Sequence, residues 1–213
     1  MPRTADHEAR RSQICGGVRR SVLEVGLVSV TMSSAARAAG VSVGLVQHYY
    51  DSKEALIVDT LERVLASILG RVERATALAE TRHSRIEDML RAGIEQLLPL
   101  DTARREEARL RMAFAGLALD NEELREHQTR FARILRDRAA RAIENAGRCG
   151  EIPDLGSVDP ELEAYVLLSL TEGLCHQLLT SPTGDEGNQA RRAIATRMSA
   201  LFSSACAHRT LSW

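Results

Sequence analysis

The sequence predicts an all-α protein: an N-terminal three-helix segment holding a helix-turn-helix, followed by a larger helical domain. Three observations carry this. Ala, Leu, Arg and Glu dominate the 213 residues, and all four are strong helix formers. One Trp, three Tyr and three Phe are too few for the aromatic and β-branched strands of a sandwich or barrel. The five prolines, Pro2, Pro99, Pro153, Pro160 and Pro182, stand where helices can start or stop.

Ile14, Val18, Val22 and Val25 recur at helical spacing between Asp6 and Gly26, which marks a first helix ending at a glycine. Thr31 then precedes an Ala-rich stretch, Met32 to Ala39, that stops at Gly40 and is two turns long. Ser42 can cap a third short helix reaching Tyr50, and Asp51 with Glu54 three positions on resembles a capping box for a fourth. That fourth helix runs from Lys53 through Leu56, Leu61, Val64, Leu65, Ile68 and Val72 to Ala79, about seven turns. Further helices are expected at His83–Leu98, Arg104–Leu119, Glu122–Ala146, Pro160–Thr180 and Gly187–Ala207. Asp159-Pro160-Glu161 is a clear start: Asp caps, Pro takes the first helical position and the acid meets the positive helix end. The organisation implied is two domains, residues 1–55 and 56–213.

Composition narrows the function classes. With 28 basic and 29 acidic residues the chain is near neutral and globular, so overall charge names no partner. Cys15, Cys149, Cys175 and Cys206 are scattered with no C-x-x-C pair, as expected of reduced cytoplasmic thiols. No export signal is expected from Met1 to Arg11. The least charged segment, Ala164 to Gly184, still holds Glu172 and His176, so a buried soluble helix is expected there and no membrane span. Gly40, Ser42 and Gly44 spell the G-x-S-x-G of serine esterases, but that elbow follows a strand, and here it follows an Ala-rich helix. No Walker loop, G-x-G-x-x-G, H-E-x-x-H or metal-spaced Cys/His set is present; neither an enzyme nor a cofactor or metal site is expected.

Two short helices joined by a Gly-containing turn can present the second to a DNA major groove. The run Val30 to Glu54, VTMSSAARAAGVSVGLVQHYYDSKE, resembles the DNA-binding domain of TetR-family repressors. The T-x-x-x-x-A-x-x-A-G-V-S core, Gly44 in the recognition helix, the Tyr49-Tyr50 pair and the S-K-E start of the fourth helix carry the likeness. Val41, Val46 and Tyr50 can point inward. Ser42 offers a cap at a helix end whose free N–H groups also suit a phosphate. Gly44 permits close approach, and the resemblance directs Val43, Leu45, Gln47 and His48 toward base edges. Gln47 can bond an adenine edge in two places, and Leu45 can touch a thymine methyl. Thr31, Ser33, Tyr49 and Lys53, the only lysine, suit phosphates.

Singly, Thr31 and Ser42 read as plain caps, the two tyrosines as core and Lys53 as a solvated charge. Together they favour DNA. Residues 1–55 carry net plus two, and the rest of the chain net minus three. Gly16-Gly17 departs from the Ala-rich first helix typical of the family, which predicts a soft helix there; Ala35 and Gln47 also depart.

The resemblance implies that residues 56–213 enclose a small-molecule effector and form a homodimer through the last two helices. Dimer candidates are Tyr165, Ser169 and Gly173, then Ile194, Met198 and Leu201. The segment Leu167 to Pro182 also resembles the BetI-like subgroup. Glu172 and His176, four apart, can meet a cationic or polar ligand, or bond each other and the neighbouring backbone. Met89, Phe114 and Phe131 are the apolar ligand candidates, although such spacing also describes plain core. The expected partners are therefore a double-stranded palindromic operator, an unidentified effector and a second copy of the chain. The competing expectation is a helical ligand-binding or scaffolding protein whose helix-turn-helix is unused.

Overall fold

The first helix, α1 (Pro2–Val25), stops where Gly26 turns the backbone to φ 79°, a left-handed value that a Cβ disfavours. The structure, a computed structural model, describes residues 2–180 and 184–204. Among them follow α2 (Met32–Ala39), α3 (Val43–Tyr49), α4 (Lys53–Thr81), α5 (Ile86–Glu95) and α6 (Thr102–Ala118). After these come α7 (Glu122–Cys149), a single 3₁₀ turn at Leu155–Ser157, α8 (Pro160–Thr180) and α9 (Glu186–Ser199). No strand occurs among the described residues, and the fold is all-α as expected.

Boundaries differ where a cap was misread. Ser52, not Asp51, caps α4: its hydroxyl accepts the Ala55 N–H at 3.1 Å, the donor three residues on that a cap must reach. His83 does not begin α5. It lies at φ 53° and ends α4, with the Ser84 N–H returning to Ala79 O at 3.1 Å and the His83 N–H to Glu80 O at 2.9 Å. α9 ends at Ser199, where Phe202 N–H folds back on Met198 O at 2.8 Å; residues 205–207 of its expected span, like Pro182 and Cys206, lie outside the described residues.

The chain divides into two compact units. The first holds residues up to Ala66 together with Arg109–Gln128, and Ile14, Val18, Ala35, Val46, Leu56 and Leu61 are buried in it. Each of the larger side chains, Ile14, Val18, Val46, Leu56 and Leu61, contributes about 1.5–3 kcal/mol through removal from water. Gly17 is what lets α1 and α2 touch. A Cβ there would stand 2.4 Å from Ala35 O and 2.7 Å from the Ala39 Cβ. The glycine is therefore a contact requirement, and its helix-propensity cost of about 1 kcal/mol is offset by the packing it allows. Arg20 Nε and Gln13 Nε2, both on α1, donate to the terminal carbonyls of α2, Ala38 O and Ala39 O, each at 3.0 Å.

The second unit holds Ser67–Ala108 and the residues from Thr129 onward. Its core joins Ile94 and Leu98 to Ile143, Leu167, Ile194 and Met198. One buried carboxylate organises this unit. Arg85, the residue before α5, makes no side-chain cap, and Glu151, 1% exposed, takes that place by accepting the N–H groups of Ile86 at 3.0 Å and Glu87 at 3.1 Å.

Candidate nucleic-acid interface

Local chemistry builds the helix-turn-helix. Thr31 Oγ1 accepts the Ser34 N–H at 3.0 Å while Ser34 Oγ accepts the Thr31 N–H at 2.9 Å, a reciprocal capping box that starts α2. Gly40, at φ 70°, ends it, and Val41 N–H returns to Ala36 O at 3.0 Å. Ser42 Oγ then accepts the Leu45 N–H at 3.1 Å and starts α3. On α3, Val46 is fully buried and Tyr50 just beyond it nearly so, whereas Ser42, Gly44, Gln47 and His48 are exposed. Val43, Leu45 and Tyr49 are half-buried at the edges of that face. Val41 is half-buried too, less enclosed than its expected inward role. Thr31 and Ser33 are exposed at the start of α2. Lys53 is half-buried, and its Nζ donates to Val28 O at 3.3 Å, so it also ties down the loop between α1 and α2.

A buried network fixes the far end of α3. The Tyr50 hydroxyl donates to Asp59 Oδ2, Cys15 Sγ lies 3.3 Å from that hydroxyl, and Arg11 Nε and Arg63 Nε reach the same carboxylate at 3.2 and 3.1 Å. Arg63 also pairs with Glu8 at 2.6 Å, and the Arg11 guanidinium sits 5.3 Å from the centre of the Tyr50 ring. Burial by itself would raise the Asp59 carboxyl, but the bonds from Tyr50, Arg63 and Cys15 outweigh it and hold it below the usual range. Burial pushes the Tyr50 phenol and the Cys15 thiol up, so both stay protonated. Arg11 is thus committed to the Asp59 carboxylate, while Arg20, exposed, is held by Ala38 O.

In the second unit a cavity of about 540 Å³ lies between α4, α5, α7 and α8, with Met89 among its walls. The other expected ligand residues are placed elsewhere. Phe114 and Phe131 are buried and line no part of it, because their spacing marks plain core. Glu172 and His176 are exposed on the outer face of α8, one turn from the exposed Ser169 and Gly173. On that face Leu162 and Tyr165 are also bare, at 56% and 55% exposure, and Arg136 lies 5.9 Å from the Tyr165 ring centre. Two dimer candidates are corrected: Ile194 and Met198 are 0% and 1% exposed in the unit's own core, and Leu201 packs against that core. α8 carries large apolar residues on its outer face as well, Leu162, Tyr165 and Val166, so periodicity could not separate that face from the inner one.

Residues 19–60 match the family described as bacterial regulatory proteins, tetR family, and residues 86–203, more than half of the chain, match the BetI-type transcriptional repressor C-terminal family. The chain belongs to the TetR family of transcriptional regulators. The TetR match over 19–60 takes in every residue from Thr31 to Lys53, and this is a family of DNA-binding regulators, not of enzymes. Among relatives, the chain is 31% identical to the HTH-type transcriptional regulator BetI of Rhizobium meliloti (strain 1021) over 138 residues, 64% of this chain and 65% of that protein. It is 35% identical over 79 residues to the BetI of Burkholderia mallei (strain NCTC 10229), covering 37% and 40% of the two. The matched stretches thus span less than two thirds of these relatives' own lengths. In fold the chain is similar to a transcriptional regulator of Rhodococcus sp. Rha1, with TM-score 0.78, 24% identity, and 91% and 96% of the two chains covered. It is also similar to a regulator of Saccharomonospora viridis in complex with choline, with TM-score 0.75, 21% identity, and 89% and 94% covered.

Two side chains of this TetR-family domain escaped sequence reading. His7 of α1 packs against Tyr49 with its ring tilted at 44°, ring centres 4.6 Å apart, a contact across 42 positions that no local signal announces. Arg37, exposed one turn after Ser33 on α2, was readable as a second basic group on that face. Among the described residues no group of three or more His, Cys, Asp or Glu is placed to hold a metal ion, and no helix is long and apolar enough to cross a membrane.

Proposed function

We propose that the protein is a cytoplasmic, ligand-released repressor that binds a palindromic operator as a homodimer, with residues 1–55 reading DNA and residues 56–213 binding effector and a second copy. The observation that carries this reading is Gly44. A glycine inside a helix costs about 1 kcal/mol, yet a Cβ at Gly44 would meet nothing within 4 Å, so this chain's own packing does not call for it. The requirement lies outside the chain. It sits between exposed Ser42, Gln47 and His48, on the face a duplex would meet.

In this reading Val43, Leu45, Gln47 and His48 read base edges, while Thr31, Ser33, Ser42, Tyr49 and Lys53 hold phosphates. Dimerisation would use the bare face of α8 at Leu162, Tyr165, Ser169 and Gly173, where two small residues permit close crossing. The effector would enter the cavity of the second unit. α4 is continuous from Lys53 to Thr81, so a ligand that favours one arrangement of its C-terminal half can alter how the two reading helices match half-sites about 34–36 Å apart. The Saccharomonospora viridis regulator was seen with choline; it supports a small-molecule effector here and does not identify it.

The test is selection of bound sequences from a random duplex pool, followed by a salt-dependent mobility shift on the selected site and on the promoter of the protein's own gene. An enriched inverted repeat, bound by two copies, supports the reading. Absence of enrichment and of any shift at low salt overturns it in favour of a helical ligand-binding or scaffolding protein.

A further inference from the structure

The walls of the second unit's cavity carry more chemistry than its existence. We infer that it takes a molecule with an aliphatic body, either uncharged or ending in a single polar group at the rim, and not a quaternary ammonium. This rests on reading residues 56–213 as the effector domain and names the class of ligand it senses.

The interior surface is branched and straight aliphatic side chains, with Ile86, Met89, Leu90, Ile94, Leu97 and Leu135 facing the space. None of the described aromatic residues lines it. A quaternary ammonium is held in water-poor sites chiefly by aromatic faces, and that means of recognition is missing here. The only hydroxyl in the wall, Thr76 Oγ1, already donates its proton to Val72 O at 3.0 Å, so the interior can accept a hydrogen bond from a ligand but has no hydroxyl proton left to give. Backbone packing sets the floor: a Cβ on Gly93 would stand 3.1 Å from Thr76 Oγ1 and 3.4 Å from Val72, so α5 lies close on α4 there.

Charge is confined to the mouth and is balanced. Glu73 is paired with Arg138, while Glu80 and Arg141 are exposed beside Asn145. A carboxylate spent on Arg138 is poorly available to a cation, and balanced charge gives the site no net field to draw one in. A volume of about 540 Å³ lies within the range of small-molecule sites and suits a chain or fused-ring hydrocarbon, whose burial supplies affinity without directed bonds.

The full-length protein is loaded with the apolar fluorophore N-phenyl-naphthylamine and titrated with dodecanol, dodecanoate and choline, and its unfolding midpoint is followed in parallel. Displacement of the dye and a raised midpoint with either aliphatic compound, and neither effect with millimolar choline, is the expected result. The two aliphatic probes separate a neutral from an anionic end. Ala142→Phe, which fills the space, and Leu90→Asn, which makes a wall polar, are each expected to weaken aliphatic binding about tenfold. Two substitutions of opposite chemistry keep the test open should one fail to fold. Choline competing with the dye, or neither aliphatic compound displacing it, overturns the inference. Duplex binding by the unliganded protein is measured alongside: its loss with aliphatic binding intact overturns the repressor reading alone, and the converse overturns this inference alone.

Discussion

The phenol of Tyr50, the residue just past α3, donates to the carboxylate of Asp59 two turns into α4. That bond ties the end of α3 to α4, and Arg11 and Arg63 complete the carboxylate's shell. Asp59→Asn keeps the shape but takes from Arg11 its carboxylate partner and leaves Arg63 with Glu8 alone. Loss of about 2 kcal/mol in denaturant unfolding is expected, because hydrogen bonds to charged groups carry more than neutral ones. Tyr50→Phe removes one donor and is expected to cost about 1 kcal/mol.

The same carboxylate makes stability depend on pH. Its native pKa lies below the ordinary value, so the folded state favours the ionised form. The stabilisation is complete above the unfolded carboxyl's pKa of about 3.9 and is lost as pH falls through the lower native value. Unfolding free energy measured between pH 6 and pH 3 is expected to drop more steeply for the wild type than for Asp59→Asn, and parallel curves would remove Asp59 from the account.

Adjacent glycines in α1 are expected to respond in opposite directions. Gly17→Ala drives a methyl into Ala35 O and is expected to destabilise despite better helix propensity. At Gly16 the nearest atom to a new Cβ is Arg20 Nη1, 3.6 Å away, an ordinary contact. Gly16→Ala should therefore raise the unfolding free energy by up to about 1 kcal/mol. Thermal unfolding of the two variants decides the matter, and stabilisation by both would mean that α1 and α2 do not pack so closely.

Those glycines mark where sequence reading succeeds and where it stops. Thr31, Ser42, Asp159 and Gly26 act within a few residues of themselves, and their caps were legible as written. Gly17 looked like a soft spot because Ala35, the reason for it, lies eighteen residues away. Position 83 carried no glycine to announce a left-handed turn, so His83 read as the beginning of α5 when it closes α4. The cavity's aliphatic character was equally hidden, since Phe114, Phe131 and Met89 share the same spacing signal and only Met89 reaches it.

Glu151 illustrates the long-range case and yields its own test. Its carboxylate serves α5 from 65 positions away, where Arg85 makes no side-chain cap of its own. Glu151→Gln is expected to destabilise by about 1–2 kcal/mol, since the amide presents one acceptor to two N–H donors and loses the charge that favours a helix N-terminus. Hydrogen exchange should locate the loss in the first turn of α5. Uniform loss across α1–α3 instead would contradict this role.

The roles proposed for the exposed and half-buried residues of α2 and α3 and for Lys53 are separable by salt and sequence. Gln47→Ala and His48→Ala remove groups able to bond base edges, so each is expected to narrow the gap between selected and random duplexes by about 1–3 kcal/mol with little change in salt dependence. Lys53→Ala removes a charge and not a reader. It should weaken both duplexes alike and lower the slope of log affinity against log salt by about one. Because Lys53 also holds Val28 O, Lys53→Met tests the loop: a methionine restores apolar stem packing but neither the charge nor the bond. If Lys53→Met matched Lys53→Ala in salt slope while unfolding like the wild type, the ammonium acts on DNA. If instead all of these variants lost affinity equally on every duplex with the slope unchanged, the division between base-reading and phosphate-holding residues on this face is wrong.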